Sequence, residues 1–271
     1  MTMKTTDTLN WNVGTLPLFV KVGDEDIQVP GKVAQVRADN RDVIGITSPS
    51  YEVFQNHSLK ELVYPLVDAG QLTIENMGYL GKGEKVFIQC AMAEDYKLGN
   101  ESFKGMITLL NSHNGTSKLS AGVTTERIIC SNTFAMAMTD MSTKLRHTSD
   151  IHVRSLEITE IMEFVNMGMD RYFEHVQALQ NHKIRGSELD DLIAQVYQKE
   201  IGSIRAANTI KRFYRAGVGN EGKTLWDAVN GITQYTTHSA SKNADRRFAS
   251  VNFGQNAEIN RRAYNVALSM V

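Results

Sequence analysis

The chain holds only two cysteines, Cys90 and Cys130, in 271 residues. No Cys-x-x-Cys occurs, so a paired-cysteine zinc site is excluded. Both thiols sit among apolar neighbours, which points to packed, reduced cysteines in a cytoplasmic protein of a host cell. No apolar run approaches the ~20 residues that span a bilayer. Met1 to Asn12 carries one lysine and no hydrophobic segment, so no secretory signal is expected there. The seven histidines include no His-Glu-x-x-His arrangement. Neither metal nor cofactor is therefore expected. Charge of one sign is lacking too: the net charge is −1, which argues against a uniformly basic nucleic-acid binder.

What is present is enough for a real core. Hydrophobic residues make up 42% and charged residues 22%, with 20 glycines and only 4 prolines, a globular composition. The charges are unevenly distributed. Residues 1–140 carry 12 Lys and Arg against 16 Asp and Glu, whereas residues 201–271 carry 10 against 4. A basic late region on a neutral chain can build a local polyanion-binding face.

The first half reads as short strands and turns. Val33 to Val36, Asp42 to Thr47 and Tyr51 to Gln55 are rich in β-formers. Ser58 caps an expected helix from Leu59 to Ala69, broken at Pro65 and ended by Gly70. Gln71 to Tyr79 and Lys85 to Met92 flank Gly81-Lys82-Gly83 as a hairpin. Phe103 to Leu110 and Leu119 to Cys130 flank Asn114-Gly115, read as a two-residue turn with both residues at positive φ. The second half is helical. Phe134 to Met141 is a short candidate. Ser155 to Gln180 repeats apolar residues at steps of three and four, giving one long helix. Further helices are expected at Leu189 to Ile201 behind the cap Ser187, at Ser203 to Arg215, Leu225 to Tyr235 and Ala257 to Val271. Strands followed by helices give an α+β fold: N-terminal antiparallel hairpins with short helices, then a helical C-terminal half. The expected organisation is a β-rich core over residues 1–145, with a helical region over 146–271 packed on it as one cooperative domain.

Three motifs carry possible chemistry. Gly217-Val-Gly-Asn-Glu-Gly222-Lys223-Thr224 fits the Walker A spacing. That loop needs a buried strand before it, and here a charged helical segment precedes it. A glycine-rich connection, with Thr224 capping the next helix, is the expected reading. Cys130 could pair with His113 or His147 as nucleophile and base, but its apolar neighbours favour an inert thiol. Asn111, His113 and Asn132 form an alternative polar site at strand ends.

The basic residues point further. Arg127, Lys144, Arg146 and His147 frame the centre of the chain. Lys211, Arg212 and Arg215 share about one helical turn. Arg246 and Arg247 precede Phe248, and Arg261 and Arg262 precede Tyr264. Cations beside aromatics suit single-stranded nucleic acid, where phosphates are neutralised and bases stack.

A family likeness runs through Tyr51-Glu-Val-Phe-Gln-Asn56, Gly78-x-x-Gly81 with Lys85-Val-Phe-Ile88, Asn111-Ser-His-Asn-Gly115, Arg127-Ile-Ile-Cys-Ser-Asn-Thr133 and His147-Thr148. It continues in Leu225-Trp-Asp-Ala-Val-Asn-Gly-Ile-Thr-Gln-Tyr235, His238, Arg246-Arg247, Phe253-Gly254 and Ala263. Over residues 40–271 the chain resembles the phage/plasmid-like family known as Domain of Unknown Function nine-three-two. The resemblance implies a phage, prophage or conjugative-plasmid origin and supplies no catalytic residues. Mobile elements often encode single-strand annealing proteins, which combine a sheet with a long helix and assemble into rings or filaments. The leading expectation is a non-enzymatic, homo-oligomeric single-stranded DNA-binding or annealing protein in recombination or replication, working beside phage or host proteins of those processes. The alternatives are a host-directed, anti-defence protein-binding module and a nucleic-acid-processing enzyme using residues 111–148.

Overall fold

The computed structural model describes residues 8–99, 101–127, 132–135, 143–145, 161–198 and 204–271. It is α+β, with antiparallel sheets and two short helices first and a helical C-terminal half.

Strands β1 (Val13–Val22) and β2 (Glu25–Arg37) form a hairpin, and β3 (Val43–Thr47) extends it on the β2 side. Gly23, at φ +61°, opens the two-residue turn with the handedness that matches strand twist. The strand expected to begin at Val33 begins at Glu25. Pro17 pairs with Val33 and Phe19 with Gln28, so residues 29–32 bulge out of the ladder. Pro30 and Gly31 fall in that bulge, which is why the stretch does not read as a strand. Tyr51 to Gln55 forms no strand. Instead the Gln55 side chain accepts from Val13 N and donates to Val13 O, each at 2.9 Å, standing in for a strand partner.

The helix expected over Leu59 to Ala69 is two helices, α1 (Asn56–Glu61) and α2 (Tyr64–Asp68). Pro65 lies in the first turn of α2, where a missing N–H costs nothing. The cap position of α1 is Gln55 rather than Ser58. Gly70, at φ +71°, closes the segment.

The second sheet runs β4 (Leu72–Leu80), β5 (Lys85–Leu98), β6 (Glu101–Ser112), β7 (Leu119–Arg127), β8 (Asn132–Ala135), with β9 (Thr143–Leu145) also on β7. The Gly81–Gly83 hairpin forms as read. The Asn114-Gly115 turn does not. The connection spans residues 113–118, and only Gly115 has positive φ, at +72°. The Asn114 carboxamide oxygen accepts from Thr116 N at 3.1 Å and from the hydroxyls of Ser112 and Thr116 at 2.8 and 2.6 Å. Its side chain thus builds the wider loop by mimicking a backbone acceptor. Phe134, expected to open a helix, lies instead in β8, where Phe134 pairs with Thr125.

The helical half comprises α3 (Ile161–Asn181), α4 (Gly186–Tyr197), α5 (Ile204–Ala216), α6 (Leu225–Gln234), α7 (Ala244–Phe253) and α8 (Gln255–Ser269). A π-helical turn, Tyr235–Ser239, prolongs α6. α4 starts three residues before the expected Leu189. Its N-cap is Arg185 and not Ser187, and the Glu188 carboxylate at N3 accepts from Arg185 N at 2.7 Å. α7 has no counterpart in the sequence reading.

Two apolar clusters hold the chain. One packs Val86, Ile88, Cys90, Ile107 and Leu109 of the second sheet against Leu9, Trp11, Val13, Ile44, Phe54 and Leu59. The other gathers Val176, Leu192, Ile210, Trp226, Val229, Ala263 and Tyr264 from the helices. Phe103 of β6 belongs to the helical cluster, with Tyr172 and Trp226 at ring distances of 6.0 and 6.1 Å. Beside it, Glu101 accepts from Trp226 Nε1 at 3.1 Å and Gln180 Nε2 at 3.3 Å. Among the described residues no helix is long and apolar enough to cross a membrane.

Candidate nucleic-acid interface

Helix α5 is strongly two-faced. Ala206, Ile210 and Tyr214, spaced by four, are buried. They press on α6 at Gly231, where an added Cβ would lie 2.9 Å from Tyr214 N and 3.1 Å from Ile210 O. That close approach locks the rotation of α5. Its outer face then carries Arg205, Asn208, Thr209 and Arg212, which line an open cleft of about 520 Å³. Arg215 is exposed a turn further on. Among the described residues, none of Arg205, Arg212 and Arg215 makes an ion pair. The Thr209 hydroxyl donates to Arg205 O at 2.8 Å, so the donors left on this surface are two guanidiniums and a carboxamide, with no carboxylate among the described lining residues, which suits phosphate oxygens.

The other basic residues part company. Lys211 pairs with Asp190 at 2.5 Å. Arg261 is clamped by Glu258, with Nε 2.9 Å from Oε2. Arg247 donates to Ser241 O at 2.5 Å, and Arg262 donates to Val196 O at 2.8 Å, closing the C-terminus of α4. Arg246 is exposed on α7, a separate element. Phe248 is half-buried, its ring 5.2 Å from Phe87. Tyr264 is 5% exposed and stacked on Tyr172, with His175 Nδ1 at 3.0 Å from its hydroxyl. Its ring therefore offers no face to a base, and the reading of Tyr264 as a stacking residue gives way to a packing role. Arg127 ends β7 and Lys144 lies in β9. Arg146 and His147 lie outside the described residues, as does Cys130. Arg205, Asn208 and Thr209 are the residues the sequence reading missed; their step of three and four with Arg212 was the available signal.

The alternative polar site is a structural knot. Asn56 Nδ2 donates to Trp11 O at 2.9 Å, which leaves Asn56 Oδ1 to accept from His113 Nε2–H at 2.9 Å. Asn111 Nδ2 donates to Phe54 O at 2.8 Å. Asn111 and His113 are fully buried, so they tie the N-terminal segment to β6 rather than face an open cleft. Asn132 opens β8. Cys90 is buried in the apolar cluster, and burial, with Glu75 adding, pushes its thiol up to about 12. It is an unreactive thiol. No group of three or more metal-ligating side chains occurs among the described residues.

The Walker-like stretch is a cap. It follows helix α5, not a strand. The Asp227 carboxylate accepts from the backbone N–H groups of Glu221, Lys223 and Thr224 at 3.2, 3.0 and 3.0 Å. Thr224 Oγ1 accepts in return from Asp227 N at 3.1 Å, completing a capping box. The chain's own carboxylate thus sits where a phosphate would, and Lys223 is paired with Glu221 at 2.8 Å.

The arrangement defines an α+β protein with a cationic helix face and no assembled catalytic cluster among its described residues. A family model matches residues 43–264, and the chain belongs to that family, the domain of unknown function DUF932. No curated protein and no solved structure matches it.

Proposed function

We propose that this chain is a non-enzymatic, single-stranded DNA-binding or annealing-type protein of phage or plasmid recombination or replication. The observation that carries this reading is the α5 face. Arg205 and Arg212 line one cleft with Asn208 and Thr209, and among the described residues no carboxylate pairs with them. A polyanion restores the missing counter-charge at little desolvation cost, because both guanidiniums are already exposed. The face is short. Association between subunits turns it into a longer track, which reconciles a net charge of −1 with DNA binding.

The test is fluorescence anisotropy of a labelled oligo-dT across a salt series, for wild type and for the Arg205→Gln/Arg212→Gln double variant. Wild type binds at low salt. The double variant loses about 1.4 from the slope of log K against log salt, at ~0.7 per phosphate contact. No binding at low salt, or an unchanged slope, overturns the proposal.

A further inference from the structure

The β1–β3 sheet has an outer face that is exposed at its two edge strands and hairpin end, while Ala34 and Val36 on its central strand are buried. Cross-strand pairing places Leu16, Ala34 and Ile46 in one row and Val36 and Val43 in the next. Alternation along β1 continues that face through Leu18, Val20 and Val22, with Ile27 opposite Val20. Leu16, Val20, Val22, Ile27, Val43 and Ile46 are each 46% to 58% exposed. The opposite face is the inward one. Gln35 is buried there between Thr15 and Thr47, and at Gly45 an added Cβ would lie 2.6 Å from Asn114 Cα.

We infer that this apolar face docks on the same face of a second copy of this chain. The inference rests on the association that the DNA-binding reading calls for, and it locates that association. Three observations favour a copy over other occupants. The six side chains expose roughly 500 Å², near the upper end of what a lone monomer shows. A standard homodimer interface takes about 800 Å² per partner, some 65% of it apolar, so the patch matches the apolar share of one such interface. The paired positions on this face carry Glu25 and no cation, which disfavours DNA and anionic lipid. The outer part of the hairpin, Phe19–Val22 on Glu25–Gln28, is exposed on both faces, and an isolated two-stranded hairpin is marginal in water. An apolar face of Leu, Val and Ile packs on its own two-fold image as one layer of a sandwich, about 10 Å apart.

Sedimentation velocity of the full chain without DNA tests this. Wild type at micromolar concentration sediments as a dimer or a multiple of dimers. Val20→Glu and Ile46→Glu, both at exposed positions, reduce it to a monomer with an unchanged circular-dichroism melt. A monomeric wild type overturns the inference, as do variants that keep the wild-type size. A monomeric wild type that captures a host protein through this face overturns it in favour of a foreign partner. Oligonucleotide binding by the monomeric variants is read separately. If they still bind, with lower apparent affinity on long strands, both readings stand. If neither they nor wild type bind while the dimer is present, the DNA reading fails and the interface stands.

Discussion

Replacing Asp227 by alanine separates a cap from a phosphate loop. The carboxylate is 6% exposed and accepts three backbone N–H groups and the Thr224 hydroxyl, all within 3.0–3.2 Å. Loss of the Asp227 side-chain half of the capping box costs up to about 1 kcal/mol, Thr224 remaining as the N-cap. Backbone donors left without an acceptor in a buried spot add roughly 1–3 kcal/mol, less where water can reach them. The expected total is about 2–4 kcal/mol, read as a lower urea midpoint at unchanged slope, or as a fall in Tm of roughly 5–12 °C. Asp227→Asn keeps one acceptor oxygen and loses about half as much. Lys223→Ala leaves the midpoint where it is, because the Lys223–Glu221 pair is exposed. Magnesium ATP at millimolar concentration leaves the Tm of every variant unchanged. A rise in wild-type Tm with nucleotide, abolished by Lys223→Ala, would refute the reasoning outright. So would an Asp227→Ala protein as stable as wild type.

Further expectations follow from burial. In a Cys130→Ser protein the remaining thiol, Cys90, stays unmodified by a thiol reagent at neutral pH until the chain unfolds, since its raised pKa keeps it protonated; rapid labelling of the folded protein would count against this. Burial raises the phenol pKa values of Tyr51, Tyr197 and Tyr264. The unfolded phenols ionise near pH 10, so the stability these groups contribute is fully present below about pH 10 and is lost as pH rises through the folded values. Tyrosinate absorbance should show a late group of phenols titrating together with loss of structure; nine independent titrations near pH 10 in the folded state would contradict it. Gly231→Ala should lower stability by about 1–3 kcal/mol by forcing α5 and α6 apart, while Gly122→Ala, with no atom within 4 Å of the new Cβ, should be tolerated.

Much of this fold can be read from the chain because local chemistry and packing agree there. Pro65 cannot sit inside a helix and so ends one and opens the next, and Gly81–Gly83 turns between two apolar runs. Thr224 and Asp227, three apart, cap α6. The failures share a cause in long-range context. Asn114-Gly115 has the composition of a tight turn, but the strand ends around it are held by Tyr51 donating to Ser112 O and by the approach of Gly45, and the loop widens. Phe134 has a helical look locally and is taken up as a strand by β7. The β1–β2 hairpin lacks a clean alternation because both its faces are apolar or mixed. At the candidate interface, Lys211, Arg212 and Arg215 are visible as a cluster. Only the tertiary pairings decide that Asp190 consumes Lys211 and that Arg205 completes the cleft.

The likeness to the family begins at residue 43, yet Leu9, Trp11, Val13 and Arg37 lie upstream of it and are built into the interior. Arg37 lies 4.1 Å above the Trp11 ring and donates to Lys82 O at 2.9 Å. A recombinant fragment cut where the match starts would therefore be missing the plug of its first cluster, and would leave His113 and Asn56 without the backbone they fasten. An expressed fragment of this protein has to reach back at least to Leu9, ahead of where the relatedness starts.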